Sequence, residues 1–166
     1  MTEIKVKLFK AFSEDHAILG KAFHILSEQL RGGQLARVIE AAHDLDQKAG
    51  AHIAFEEAEF YPLLKLTSPE TDTDQMYESH LIGLSVIKDI IALPPAADDG
   101  EINEEFKNNQ LEKIREMEDH ISECGELFSV LGGLSKADLE KLHERLLFWR
   151  NQHPKWTALP AFRKRP

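Results

Sequence analysis

Residues 35–63 read LARVIEAAHDLDQKAGAHIAFEEAEFYPL. Leu35, Val38, Ala42, Leu45, Ala49, His52, Glu56, Glu59 and Leu63 recur in this stretch at intervals of three and four. That interval places them on one face of an α-helix. The face is apolar up to Ala49, then carries an imidazole and a carboxylate one turn apart. A stripe that faces a core and ends in polar groups needs something in that core to satisfy them, because a buried glutamate is disfavoured unless it is paired or coordinating.

The neighbouring segments repeat the pattern. Before it, Phe9, Phe12, His16, Leu19, Phe23, Leu26 and Leu30 share the spacing. After it come Tyr77, His80, Leu84, Ile87 and Ile91, then Met117, His120, Cys124, Leu127 and Leu131. A shorter stretch behind Ser135 aligns Leu139, Leu142, Leu146 and Trp149. Breakers separate the segments: Gly32-Gly33, Thr67-Ser68-Pro69, Pro94-Pro95 running to Asp98-Asp99-Gly100, Gly132-Gly133, and Pro154. Only Ile4–Leu8 hints at a strand. Antiparallel helices with such seams pack at about 20°. The expected fold is all-α, an up-down-up-down four-helix bundle with an appended fifth C-terminal helix. Its bounds are residues 1–150, followed by a basic tail over 151–166.

His16, His52, His80 and His120 each take a seam position, one on each long helix. A buried imidazole without a partner costs about 1–3 kcal/mol, so this arrangement needs a shared cause. Two residues of an antiparallel pair lie level when the turn is midway between them. The midpoints 34, 66 and 100 fall at or beside Gly32-Gly33, Ser68-Pro69 and Gly100. The imidazoles therefore form a ring at one level, and a metal ion is its natural occupant. Glu56, one turn after His52, can join it. His24 and His43 fall beside the seam and are expected at the surface, as is His153. Tyr77, one turn before His80, suits the core or the pocket wall. Glu59 suits either a supporting role behind the ligands or the solvent end of the seam.

These residues carry a family likeness. The chain resembles the hemerythrin-like HHE cation-binding domains over about residues 8–150. The matching parts are Asp15-His16, then His52-Ile53-Ala54-Phe55-Glu56-Glu57 leading to Phe60-Tyr61-Pro62, then Ser79-His80 and Asp119-His120. The resemblance implies metal ligands at His16, His52, Glu56, His80 and His120. It also implies non-haem iron, as one or two ions, with zinc as an alternative. Family members bind dioxygen, sense oxygen or nitric oxide, handle iron, or repair iron–sulfur clusters. One position departs from the pattern. The second H-x-x-x-E motif reads His120-Ile121-Ser122-Glu123-Cys124, so Cys124 stands where a glutamate is expected. Cys124 can be a thiolate ligand, Glu123 can rotate in, or the second bridging carboxylate is missing. As a bland alternative, a free cysteine is a small buried hydrophobe.

Composition narrows the function further. The 166 residues carry 20 basic and 29 acidic side chains, a net charge of −9, with eight histidines and one cysteine. The acidic balance excludes the basic face that nucleic acid requires. No apolar run suits a membrane span, and no signal peptide opens the chain. A lone cysteine forms no internal disulfide and fits a reducing, cytoplasmic setting. Residues 151–166 hold four bases and no acid, which leaves −13 on the first 150 residues. That tail either lies back on the acidic bundle or docks an oligomer partner or client protein. The resulting expectation is a metalloprotein, closer to a binding or sensing protein than a turnover enzyme, whose partner is dioxygen or nitric oxide. An iron donor or iron–sulfur repair factor is the alternative, and a zinc-binding or interaction scaffold the third.

Overall fold

The computed structural model describes residues 3–94, 100–128, 131 and 133–162. Helix α1 spans Glu3–Gly32 and α2 spans Leu35–Phe55. A π-helical turn, Glu56–Phe60, leads without a break into α3, Tyr61–Thr67. Helices α4 (Thr73–Ile91), α5 (Glu104–Phe128) and α6 (Lys136–Gln152) follow. A single 3₁₀ turn, Trp156–Ala158, lies beyond them. The strand hint at Ile4–Leu8 is overruled, because these residues form the first turns of α1. Four helices make the bundle: α1 packs on α2 and α5, and α4 packs on the same two. This ring order is the antiparallel up-down-up-down arrangement. Helix α6 lies against α1 and α2 as the appended fifth helix. No described helix is long and apolar enough to cross a membrane. Of the turn and tail residues read from the sequence, Pro95, Asp98, Asp99, Gly132, Arg163, Lys164 and Arg165 lie outside the described residues.

Local chemistry fixes the helix ends. Asp72 caps α4 by accepting from the Gln75 backbone N–H at 3.0 Å, and Ser135 caps α6 by accepting from Asp138 N–H at 3.2 Å. Such caps satisfy N–H groups that the helix leaves free. At the far end of α6, His153 takes a left-handed φ of 47° and turns the chain back over the bundle.

That return crosses α2 at Gly50. A Cβ there would lie 1.9 Å from the Pro154 carbonyl oxygen, so only glycine admits the crossing. Buried Asp46 then accepts from the Thr157 backbone N–H at 2.8 Å and its hydroxyl at 2.9 Å. The Trp156 indole inserts over Gly83 of α4 and is 2% exposed. This insertion shifts the inner face of α4 from the expected one. Gly83, Val86 and Ile90 are buried beside Ile87, while Leu84 and Ile91 are only half-buried.

The core divides into two apolar clusters. One gathers Leu19, Phe23, Leu26, Leu45, Ile87, Met117 and Trp156. The other gathers Leu8, Phe12, Phe55, Phe60, Tyr61, Leu64 and Phe128. Between them lies a buried polar layer made by His52, Glu56, His80 and His120.

Candidate metal centre

The π-turn sets the geometry of this layer. Pro62 has no N–H, so it cannot continue the hydrogen-bond ladder. The Tyr61 N–H instead reaches back five residues to the Glu56 carbonyl. The carbonyl of Glu57, which Pro62 would have met in the same register, accepts from the Tyr77 hydroxyl at 2.9 Å. In a regular α-helix, residues five apart point about 140° away from each other. The π-turn removes that offset and brings Tyr61 round to the face of Glu56. Single π-turns inside helices frequently mark functional sites.

Glu56 stands at the centre of the layer, 1% exposed. Its Oε1 faces His52 Nε2 at 3.2 Å and His16 Nε2 at 3.4 Å, and accepts from the Cys124 thiol at 2.8 Å. Its Oε2 faces His80 Nε2 at 3.1 Å and accepts from the Tyr61 hydroxyl at 3.3 Å. That hydroxyl also lies 3.0 Å from His80 Nε2 and 3.2 Å from His120 Nε2. One carboxylate thus separates two donor groups. The His16 and His52 rings are 4.6 Å apart on one side, and the His80 and His120 rings 4.8 Å apart on the other. Donor atoms of His16, Glu56 and Cys124 lie within 4.8 Å of one another, as do those of Glu56, His80 and His120. All five residues expected as ligands are brought together.

The other expectations divide. Glu123 is exposed and does not rotate in, while Cys124 is fully buried and faces Glu56. His24, His43 and His153 are exposed. Glu59 does not stand behind the ligands. Arg145 Nε and Trp149 Nε1 of α6 donate to its Oε1 at 2.8 and 3.3 Å. Glu57 takes that place, with Oε1 2.9 Å from His80 Nδ1. On the other side Asp15 Oδ2 lies 3.6 Å from His52 Nδ1. Arg150 of α6 grips Asp15 with Nη2 at 2.7 Å and Nε at 3.3 Å. Each carboxylate approaches Nδ1 and leaves Nε2 turned to the centre. Tyr61 was not anticipated as a member of the site. An aromatic residue directly before a proline, inside a helical stripe, was its only signal.

Charge in the layer is shared among these groups. Burial opposes a proton on His52, but the carboxylates of Glu56 and Asp15 prevail and raise it to about 9. His80 rises for the same reason, burial being overruled by Glu56 and Glu57. Burial alone would lift Glu56, yet His52 and hydrogen bonds from His16 and His80 hold it well below the usual carboxyl range. His120 is pushed down to about 4, by burial and then by the neighbouring positive His80. Burial and the Glu56 charge hold the Tyr61 hydroxyl and the Cys124 thiol well above their ordinary values. A cation bound here competes with protons for the same lone pairs.

The residues also fit a metal by what they lack. His52 is 3% exposed, and although Glu56 and Asp15 lie near its two ring nitrogens, neither contact has hydrogen-bonding geometry. A buried polar atom left in this state is costly unless something else binds it. A family model, the hemerythrin HHE cation binding domain, matches residues 7–131.

The chain belongs to the hemerythrin HHE family.

The match takes in every donor of the layer and leaves α6 beyond its end, so the HHE region receives Arg150 from a helix outside the matched range. No curated protein and no solved structure gives a significant match. The family and the His/Glu cluster together point to metal binding. Carboxylates that orient metal-bound imidazoles are typically worth 10–100-fold in affinity. Asp15→Asn or Glu57→Gln should therefore weaken metal binding by about that factor in a chelator competition. Glu59→Gln should leave it unchanged. Equal losses in all three would mean that the carboxylates act only through net charge.

Proposed function

We propose that this hemerythrin HHE chain holds a two-metal centre built on non-haem iron. Its role is to bind or sense dioxygen or nitric oxide, or to register redox state. The position of Glu56 carries this reading: its Oε1 faces His16 and His52, while its Oε2 faces His80, with His120 in the same donor group beyond the Tyr61 hydroxyl. Imidazole and carboxylate together suit iron. Iron held here supplies open coordination positions and one-electron chemistry. The protein's own residues do the rest. Asp15 and Glu57 aim two imidazoles inward. Phe12, stacked on Phe128 at 3.8 Å with Phe60 beside both, closes one side of the layer and excludes water. Met117, Ile87 and Trp156 wall the other side. A large substrate finds no room among these buried groups, whereas a small, weakly polar molecule suits them.

The test is ligand binding rather than turnover. Protein stripped with chelator and reloaded anaerobically with ferrous iron is exposed to nitric oxide. The expected result is the visible and paramagnetic-resonance change of nitric oxide binding, in proportion to iron content. Iron-loaded protein that gives no change with nitric oxide, and none on exposure to air, would contradict the reading.

A further inference from the structure

The two sides of Glu56 differ in kind. On the Oε1 side stand two imidazoles, His16 and His52, and the Cys124 thiol. On the Oε2 side stand two imidazoles, His80 and His120, and the Tyr61 phenol. Were Cys124 only a small apolar filler, its sulfur would meet carbon. It instead points at a buried carboxylate oxygen at 2.8 Å. His52 gives independent support, since it is buried and its Nε2 lies 3.2 Å from that same oxygen without hydrogen-bonding geometry to it.

We propose that this asymmetry sorts two different metals, with zinc on the Cys124 side and iron on the Tyr61 side. The inference rests on the two-metal reading above and names which ion each half takes. Zinc favours four donors in a tetrahedron and accepts nitrogen, sulfur and oxygen together. His16, Cys124 and Glu56 Oε1 cluster within 4.8 Å of one another, and His52, 3.2 Å from that same oxygen, is the fourth donor that would close a zinc half. A phenolate is a hard, anionic oxygen donor and suits ferric iron, whereas thiolate is soft and suits zinc. His80, His120, Tyr61 and Glu56 Oε2 are also four, which leaves an octahedral iron with positions to spare. The small-molecule position therefore belongs to the Tyr61 half alone. Cys124 at the place of the family's glutamate is then the residue that changes the metal, and Tyr61, delivered by the π-turn, is the one that keeps iron opposite it.

Chelator-stripped protein is loaded anaerobically with equal ferrous iron and zinc, exposed to air, desalted and analysed for metal. About one iron and about one zinc per chain are expected, with a broad visible phenolate-to-iron band. Tyr61→Phe should abolish the band and keep the zinc. Cys124→Ser should lose the zinc and keep the band. Cobalt(II) in place of zinc gives a readout on the unsubstituted chain. Intense tetrahedral absorption with a near-ultraviolet thiolate band is expected, and weak octahedral absorption without it would overturn the assignment. Two irons with zinc excluded would overturn the sorting while leaving the two-metal reading intact. So would both substitutions removing both metals equally from protein that keeps its helical circular dichroism. No iron under any loading would overturn the iron reading itself, and the sorting with it.

Discussion

Glu56→Ala is expected to strip metal from both halves of the proposed centre, whereas His43→Ala should leave metal content unchanged. The argument is geometric. Each oxygen of Glu56 serves a different donor group, so its removal takes a ligand from both at once. Among the described residues, no other carboxylate stands ready to replace it. Glu57 is engaged on the outer nitrogen of His80, and Glu59 is held by α6. His43 is an exposed residue of α2, on the same helix as His52 but away from the layer. The substitution should also destabilise the chelated protein. Glu56 is the charge partner of the raised His52 and His80, and breaking a buried charge pair costs about 3–5 kcal/mol. Metal analysis and thermal unfolding, on both variants with and without chelator, check the two effects separately. Equal metal in the two variants would remove Glu56 from the centre.

Gly50→Ala should be among the most damaging single methyl additions in the chain. The new carbon would sit 1.9 Å from the Pro154 carbonyl oxygen and under 3 Å from two further backbone atoms. Backbone cannot rotate away as a side chain tip can, so the strap behind α6 must lift. Lifting breaks both hydrogen bonds into buried Asp46 and withdraws Trp156 from its place over Gly83. Exposing a buried tryptophan, at about 25 cal/mol per Å² over roughly 150–250 Å², costs about 4–6 kcal/mol at most. Gly20→Ala is the control, because a Cβ there meets nothing within 4 Å. It should be neutral or slightly stabilising, since alanine is the better helix former. Denaturant unfolding of the two variants gives the comparison. Equal midpoints would mean that the crossing at Gly50 is not tight. Because Trp156 also stands edge-on to His80 at 6.1 Å, the Gly50 variant should loosen the metal layer as well.

The bundle was legible because its information is periodic. Phe12, Leu19, Phe23, Val38, Leu45 and Met117 announce their burial by spacing alone, and all are buried. The imidazole ring was legible for the same reason, since seam position and turn midpoint fix both face and height. Two features were hidden because they break the period. Pro62 shifts the helical register by one residue, which turns Glu59 toward α6 and brings Tyr61 inward. A stripe extrapolated at 3.6 residues per turn gives the reverse for both. That residues 151–162 return over the bundle was expected, but where they cross it was hidden, because the partners there are glycines. Gly50 and Gly83 read as weak points in helices, yet each is where the returning chain makes its closest approach. Cys124 was visible as a departure, but only its distance to Glu56 decides between an apolar filler and a member of the layer.

The central claim is that Glu56 joins two metal ions in one buried layer. The most direct measurement is the number and identity of metal ions per chain, in protein purified without added metal from cells replete in iron and zinc. The account predicts two ions per folded chain, iron among them, falling to neither in Glu56→Ala. A folded chain with no metal, or with the same metal content after Glu56→Ala, would contradict it.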